Sequence, residues 1–228
     1  MSEYWKNYWK NSEITGREHL QMQVGRTINR NPVSEELWNK TVEHVESFVK
    51  PTKKEIILDL CSGNGLLAMP LSTKCREVIA VDISDNLLSK IDHEKYANIS
   101  TLKSDALEIQ FPENSLDKAV LYFALQHFNL KETLLLLELV YRYLKKDGVF
   151  YIGDIPEAEK RFLFFNTPDR EKAYFDSIQK DVPIVGQWFS RSFIEKAAVN
   201  IGFTRAKTVD QPLWQINAHY RFDAILIK

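Results

Sequence analysis

Ile56-Ile57-Leu58-Asp59-Leu60-Cys61-Ser62-Gly63-Asn64-Gly65-Leu66-Leu67-Ala68-Met69 changes texture twice within fourteen residues. A short apolar, β-branched run gives way to a glycine-bearing turn, and the turn gives way to an apolar run of helical character. Strand, tight turn and helix are the simplest interpretation. Glycine suits such a turn because the backbone must bend sharply and approach a ligand with no Cβ in the way. The first N–H groups of the helix are also left free there. A strand-to-helix turn without a ligand looks the same, so the turn alone does not define a site.

Downstream the alternation continues. Residues 78–81 form a second buried strand ending at Asp82, and 84–91 read as helix. Residues 99–102 and 118–123 give a third and a fourth strand. Asn129 is placed to cap a helix over 130–144, and 149–152 is a fifth strand behind the turn Lys146-Asp147-Gly148. Strands and helices alternating at this spacing imply an α/β fold with a mostly parallel sheet covered on both faces. Upstream, Ser34 follows Pro32 as a helix start, and Leu37, Val42, Val45, Phe48 and Val49 continue at helical spacing to Pro51. Residues 156–189 break the rhythm and read as an inserted cap. Residues 190–200 form a helix ended by Gly202. Strands at 203–209 and 220–227 have no helix between them, which favours an antiparallel hairpin. The expected organisation is one domain: an N-terminal arm and helix (1–50), a cofactor-binding core (51–155), a cap (156–189), and a C-terminal helix and hairpin (190–228).

The chain has 228 residues, 44% hydrophobic and 27% charged, which is ordinary globular usage. Thirty basic residues against 31 acidic ones give a net charge of −1, without the basic excess that phosphate backbones attract, so a nucleic-acid partner is disfavoured. Only Cys61 and Cys75 are present, and the opening MSEYWKNYWK is not the apolar core of a signal peptide. A reduced, cytoplasmic protein is expected. Apolar runs such as 119–125 fall well short of the roughly 20 residues needed to span a bilayer.

Two further acids give the glycine turn its company. Asp82 lies at the end of the second strand, 17 residues after Gly65. Neighbouring strands bring their carboxyl ends together, so this carboxylate can accept from both hydroxyls of a ribose lying over the turn. Asp105 follows the third strand, 23 residues beyond Asp82. There it can accept from an exocyclic amine while the Ala106 N–H meets a ring nitrogen. Taken singly, Asp82 would serve equally as a helix cap and Asp105 as a solvated loop acid. Together the three strand ends describe one nucleoside-shaped ligand.

With these residues the chain resembles the class I S-adenosylmethionine-dependent methyltransferases, well over 35–155 and loosely in the hairpin. Asp59, Gly63 and Gly65 match the family's acidic, alternating-glycine first motif, from which Cys61 departs at the first glycine. By the same resemblance Asp82, with Ile83 beside it, is the ribose-binding acid, and Asp105 with Ala106 the adenine site. Residues 117–128 match the fourth motif, where the backbone at Leu121 and Tyr122 meets the methionine end. Leu125 and His127 fall on that motif's leucine and histidine as they occur in small-molecule enzymes. Lys145, Asp147 and Gly148 match the turn before the fifth strand. The resemblance implies a Rossmann-like, seven-stranded, mostly parallel sheet with an antiparallel C-terminal hairpin and helices on both faces. It further implies S-adenosylmethionine as cofactor, S-adenosylhomocysteine as product, and a small-molecule acceptor. No residue is assigned to a metal.

Two other readings compete. A glycine turn with a strand-end acid also describes nicotinamide dinucleotide binding, and Tyr141 with Lys145 has the spacing of short-chain dehydrogenases. Ala68, however, stands where the third dinucleotide glycine belongs, Tyr141 sits in an apolar helical run, and Lys145 is at a helix end, where a cation suits the dipole. A non-catalytic cofactor-binding partner protein would have no need of Asp59, Gly63, Gly65, Asp82 and Asp105 together.

For methyl transfer, His127 is the candidate base towards a hydroxyl acceptor, or else a side chain that fixes the loop. Arg26, beside Thr27 in the arm, is a candidate for the methionine carboxylate. His219, next to Tyr220 and Arg221, is a second polar cluster, more plausibly surface than pocket. The aromatics of arm and cap (Tyr4, Trp5, Tyr8, Trp9, Phe162, Phe164, Phe165, Tyr174, Phe175, Trp188 and Phe189) are expected to cover an apolar or ring-shaped acceptor, or to pack the appendages down. The acceptor classes left open are sugar or polysaccharide precursors, quinones or lipids, and secondary metabolites, with O-methylation favoured.

Overall fold

The structure, a computed structural model, describes residues 3–10, 19–28 and 30–228. Five strands run parallel: β1 (Ile56–Leu60), β2 (Glu77–Asp82), β3 (Ile99–Lys103), β4 (Leu116–Tyr122) and β5 (Leu144–Pro156). With β6 (Arg205–Asp210) and β7 (Arg221–Ile227) they form one sheet in the order β3-β2-β1-β4-β5-β7-β6. β7 is antiparallel to both β5 and β6, so the expected C-terminal hairpin is present. The chain winds from β1 outward to β3 and then crosses to β4 on the other side. The crevice outside the carboxyl ends of β1 and β4 is therefore the topological switch point, where open α/β sheets bind ligands.

Alternation along the strands divides the core in two. Leu58, Leu60, Leu121, Phe150 and Ile152 face one side, where the helices Leu130–Tyr143 and Arg191–Ile201 lie. Ile57, Val78, Ala80, Val120 and Tyr151 face the other, against the helix Glu35–Val49 and Leu71. The helix boundaries follow from local chemistry. Ser34 accepts from the Leu37 N–H, with Glu35 and Glu36 in the first turn, and Lys50 ends that helix at φ 48°. Asn129 and Glu132 form a reciprocal capping box. Ser190 caps the last helix and Gly202 closes it at φ 125°.

Several expectations are corrected. The helix expected over 84–91 is a single turn, Asp85–Leu88. The fifth strand begins before the turn Lys146-Asp147-Gly148 rather than after it, because Leu144 already pairs with Leu116 and a register shift absorbs the turn. It also extends past 152 through an irregularity in which Asp154 takes φ 63°. The arm contains a helix, α1 (Glu3–Lys10), a short turn at Leu20–Gln23 and a two-residue antiparallel pair, Thr27–Ile28 with Asn31–Pro32. The helix Pro168–Gln179 of the cap has no buried residue. Among the described residues no helix is long and apolar enough to cross a membrane.

Candidate active site

After β1 the backbone enters the left-handed region three times in five residues: Cys61 at φ 54°, Gly63 at 56° and Gly65 at 75°. The two glycines answer different demands. A Cβ on Gly63 would lie 2.9 Å from Val24 Cγ1, so its absence lets the arm close over the turn. A Cβ on Gly65 would lie 2.5 Å from Ile91 Cγ1, so that glycine serves packing, and it is not part of the cavity wall. Cys61 sits where the family pattern has glycine and carries the same backbone conformation, at a cost of about 1–2 kcal/mol for an L-residue.

Asp82 ties the turn to the second strand. Its Oδ2 accepts from the Gly63 N–H at 2.8 Å and its Oδ1 from the Ser84 N–H at 2.9 Å. Burial raises its pKa, against the pull of those amides. Asp59, one strand over, is buried with Oδ2 unpartnered among the described residues. Burial, then the charge of Asp82, pushes the Asp59 carboxyl up to about 8. Burial, then Asp82 and Asp105, likewise keeps the Cys61 thiol neutral. Asp59, Cys61, Gly63, Asp82, Ile83, Ala106 and Tyr122 all line one cavity. Leu121 does not: its side chain is wholly in the core, leaving only its backbone near the site.

Arg26 forms the opposite wall. Its guanidinium is buried, bonded to Asp154 Oδ2 at 2.5 Å and to the Tyr122 hydroxyl at 3.2 Å, while Nε has no partner among the described residues. Behind it stands a buried network that sequence reasoning missed. Asp223 accepts from the Asp154 N–H (2.8 Å), Gln211 (2.8 Å) and the Tyr151 hydroxyl (2.7 Å), and its Oδ2 lies 2.9 Å from His44 Nε2. Asp154 and Asp223 are spread through a long strand and a hairpin, with no motif spacing to announce them.

The arm closes the top. Lys6 of α1 forms an ion pair with Asp105 Oδ2 at 2.6 Å, and Asp105 Oδ1 accepts from the Leu107 N–H at 3.0 Å. Burial works against the Asp105 charge, but Lys6 and that amide outweigh it and hold the carboxyl below its ordinary range. Asp105 consequently faces Lys6 and is not part of the cavity wall, whereas Ser104 and Ala106 are. Trp5 and Trp9 pack on His127, ring centroids 4.3 and 5.7 Å away. The Trp9 indole N–H donates to His127 Nε2 at 3.3 Å, which leaves the proton of the neutral ring on Nδ1. Burial, then the charge of Arg221, lowers the His127 pKa to about 3. The imidazole is thus held neutral, with the Nε2 lone pair directed at the Trp9 N–H. The cavity has a free volume of about 80 Å³, well below the roughly 300–1,000 Å³ of occupied small-molecule sites.

The remaining aromatics separate. Phe165, Tyr174 and Trp188, with Tyr4 and Trp5, line a second cavity of about 490 Å³ that shares His127 with the first. Phe189 belongs to the main core, and Phe162 and Phe175 are each 52% exposed, away from either cavity. His219 is exposed, its ring edge-to-face with that of Tyr220, while Arg221 turns inward to the Asp154 carbonyl. Tyr141 packs on Phe203, and Lys145 pairs with Asp117 at 2.6 Å beside the start of β1. The dehydrogenase-like pair thus lies at the wrong end of the sheet. Val24, Trp38, Leu87 and Phe123 also line the first cavity, and from sequence they are indistinguishable from core residues.

The strand order, the glycine turn and the acids at the ends of β1 and β2 are those of the Rossmann-like fold of class I methyltransferases. Residues 57–148 match the family described as methyltransferase domain. It is 25% identical over 166 residues to the demethylmenaquinone methyltransferase of Listeria monocytogenes serotype 4a, covering 69% of this chain and 65% of that protein. The chain thus spans just under two thirds of the length of that relative. A methyltransferase structure from Archaeoglobus fulgidus superposes with TM-score 0.62 at 16% identity, covering 86% of this chain and 95% of that one. Magnesium protoporphyrin IX methyltransferase from Synechocystis, solved with bound S-adenosylhomocysteine, gives 0.59 at 13% identity, covering 99% and 92%. These structural likenesses speak to the fold.

Proposed function

We propose that this protein transfers a methyl group from S-adenosylmethionine to a hydroxyl of a small-molecule acceptor. The observation that carries the reading is the pair of buried carboxylates at adjacent strand ends, one of them with an oxygen unpartnered among the described residues. Asp59 presents an unpartnered oxygen to the cavity, and a buried unpaired carboxyl is costly unless a ligand satisfies it. An ammonium group fits it. Asp82 retains acceptor capacity on both oxygens beyond its two amide bonds, which suits the two hydroxyls of a ribose. Arg26, locked by Asp154 and Tyr122, keeps Nε for a carboxylate. The Ala106 backbone meets the adenine edge, with Asp105 available once Lys6 shares it.

S-adenosylmethionine supplies an electrophilic methyl on a sulfonium for in-line displacement. What the chain supplies is position and dryness, which can stand for effective molarities of roughly 10⁵ M or more. Trp5 and Trp9 exclude water from the junction of the two cavities. His127, at that junction, donates from Nδ1 to orient the acceptor oxygen, and the hydroxyl proton leaves through the mouth of the second cavity, bordered by exposed Glu3 and Asp181, to solvent.

The decisive experiment is calorimetric titration with S-adenosylmethionine, S-adenosylhomocysteine and NADH in parallel. Micromolar binding of the two sulfur nucleosides and none of NADH is expected. Binding of NADH alone would replace this reading with an oxidoreductase, and binding of none with a non-catalytic partner protein.

A further inference from the structure

The second cavity is lined by a cation, Arg161, that forms no ion pair among the described residues. Arg161 lines this space, its Nη1 donating to the Tyr174 hydroxyl at 2.7 Å and its guanidinium carbon 5.4 and 5.7 Å from the ring centroids of Tyr174 and Trp188. Its Nε is buried without a partner, and no carboxylate among the described residues lies within ion-pair distance of it. Of the two acids just before it, Glu159 is exposed and Glu157 is spent: Lys160 holds it at 2.9 Å and Arg191 at 2.8 Å. Glu3 and Asp181 border the same cavity, both exposed to solvent.

An arginine held against aromatic faces, with donors left over, is pre-organised for a planar or tetrahedral oxyanion. Aromatic walls also lower the local dielectric, which strengthens the attraction for an anion and makes an empty, unpaired guanidinium costly. The cavity reaches His127, which also lines the first cavity, so a molecule anchored on Arg161 presents its other end to the methyl-transfer site.

We infer that this second cavity is the acceptor site and that it takes a small organic anion, a carboxylate or a phosphate monoester. Arg161 binds the charged group, and Trp5, Tyr174 and Trp188 hold the ring or hydrocarbon body. The assignment of the cavity to the acceptor rests on the methyltransferase reading; the preference for an anion does not.

The test titrates the protein, saturated with S-adenosylhomocysteine, with 4-hydroxybenzoate, 4-hydroxyphenyl phosphate and the neutral 4-hydroxybenzamide. At least one anion should bind tenfold or more tightly than the amide, and the tighter of the two identifies the charged group. Arg161→Gln should abolish the preference, and Arg161→Lys should retain part of it. Both variants should melt no lower than wild type and keep its affinity for S-adenosylhomocysteine to within a factor of two. Equal binding of anion and amide, binding of no probe, or a preference that survives Arg161→Gln overturns the inference. Should the protein not bind S-adenosylhomocysteine at all, the methyltransferase reading fails separately. The anion preference is then read without it.

Discussion

The Trp9 indole N–H points at His127 Nε2 from 3.3 Å away, joining the first helix to the end of β4 across 118 residues of sequence. That contact fixes the histidine as the neutral Nδ1–H tautomer. With a folded pKa of about 3 against roughly 6.5 when unfolded, the unfolded chain binds the extra proton between those values. The His127 contribution is therefore intact above about pH 6.5 and is lost progressively as pH falls towards 3, by up to roughly 5 kcal/mol. His127→Gln should flatten this acid limb, read as the difference in urea unfolding between variant and wild type from pH 4 to 7. A variant with the same slope as wild type would mean that the ring is not held neutral.

Asp59 has the opposite sign. Its carboxyl, pushed up to about 8, holds its proton in the folded state where the unfolded chain has already lost it, so its contribution is complete below about pH 4 and disappears as pH rises through 8. Asp59→Asn should raise the melting temperature by several degrees at pH 8.5 and leave it nearly unchanged at pH 4. The same change should weaken S-adenosylhomocysteine at least tenfold, because the ammonium loses its carboxylate. In the wild type at pH 7, binding that ammonium should expel close to one proton. Calorimetry in two buffers of different ionisation enthalpy measures it, and no release would place the ammonium elsewhere.

The Lys6–Asp105 ion pair holds α1, whose Trp9 lines the first cavity, against the end of β3, so donor entry is expected to move α1. Lys6 is partly exposed and the pair is worth at most about 1 kcal/mol. Lys6→Met should accordingly speed association of S-adenosylhomocysteine several-fold in stopped-flow tryptophan fluorescence, where Trp5 and Trp9 report the motion. An on-rate identical to wild type would show that the arm is not the gate.

What the sequence revealed and what it hid follow from the range of the interactions involved. The β1 turn, Asp82 and the helix caps at Ser34, Asn129 and Ser190 depend on neighbours within a few residues, and local pattern reports them. The relation of Lys6 to Asp105, of Trp9 to His127 and of Arg26 to Asp154 depends on closing 99, 118 and 128 residues of chain, and no periodicity encodes it. The adenine-side acid shows the consequence: its strand-end position is readable, whereas its ion pair with the arm is not. Val24 and Trp38 escaped for another reason, since an apolar side chain lining a cavity has the same sequence signature as one in the core.

Cys61 is where the family pattern and this chain part, and its backbone explains what is tolerated there. At φ 54° the residue pays a steric penalty that glycine avoids and that a β-branched side chain feels most. The side chain is half-buried against the main core, so removing it also forfeits some packing. Cys61→Gly sets relief of strain against lost packing and greater unfolded-chain entropy, and should change stability by less than about 1 kcal/mol. Cys61→Val keeps the bulk and worsens the strain, and should cost about 2–3 kcal/mol in urea unfolding. Because Gly63 donates to Asp82 from the same turn, the valine variant should also bind S-adenosylhomocysteine more weakly while the glycine variant binds as wild type does. Equal stability of the two variants would mean that the turn is not held in the left-handed region at this position.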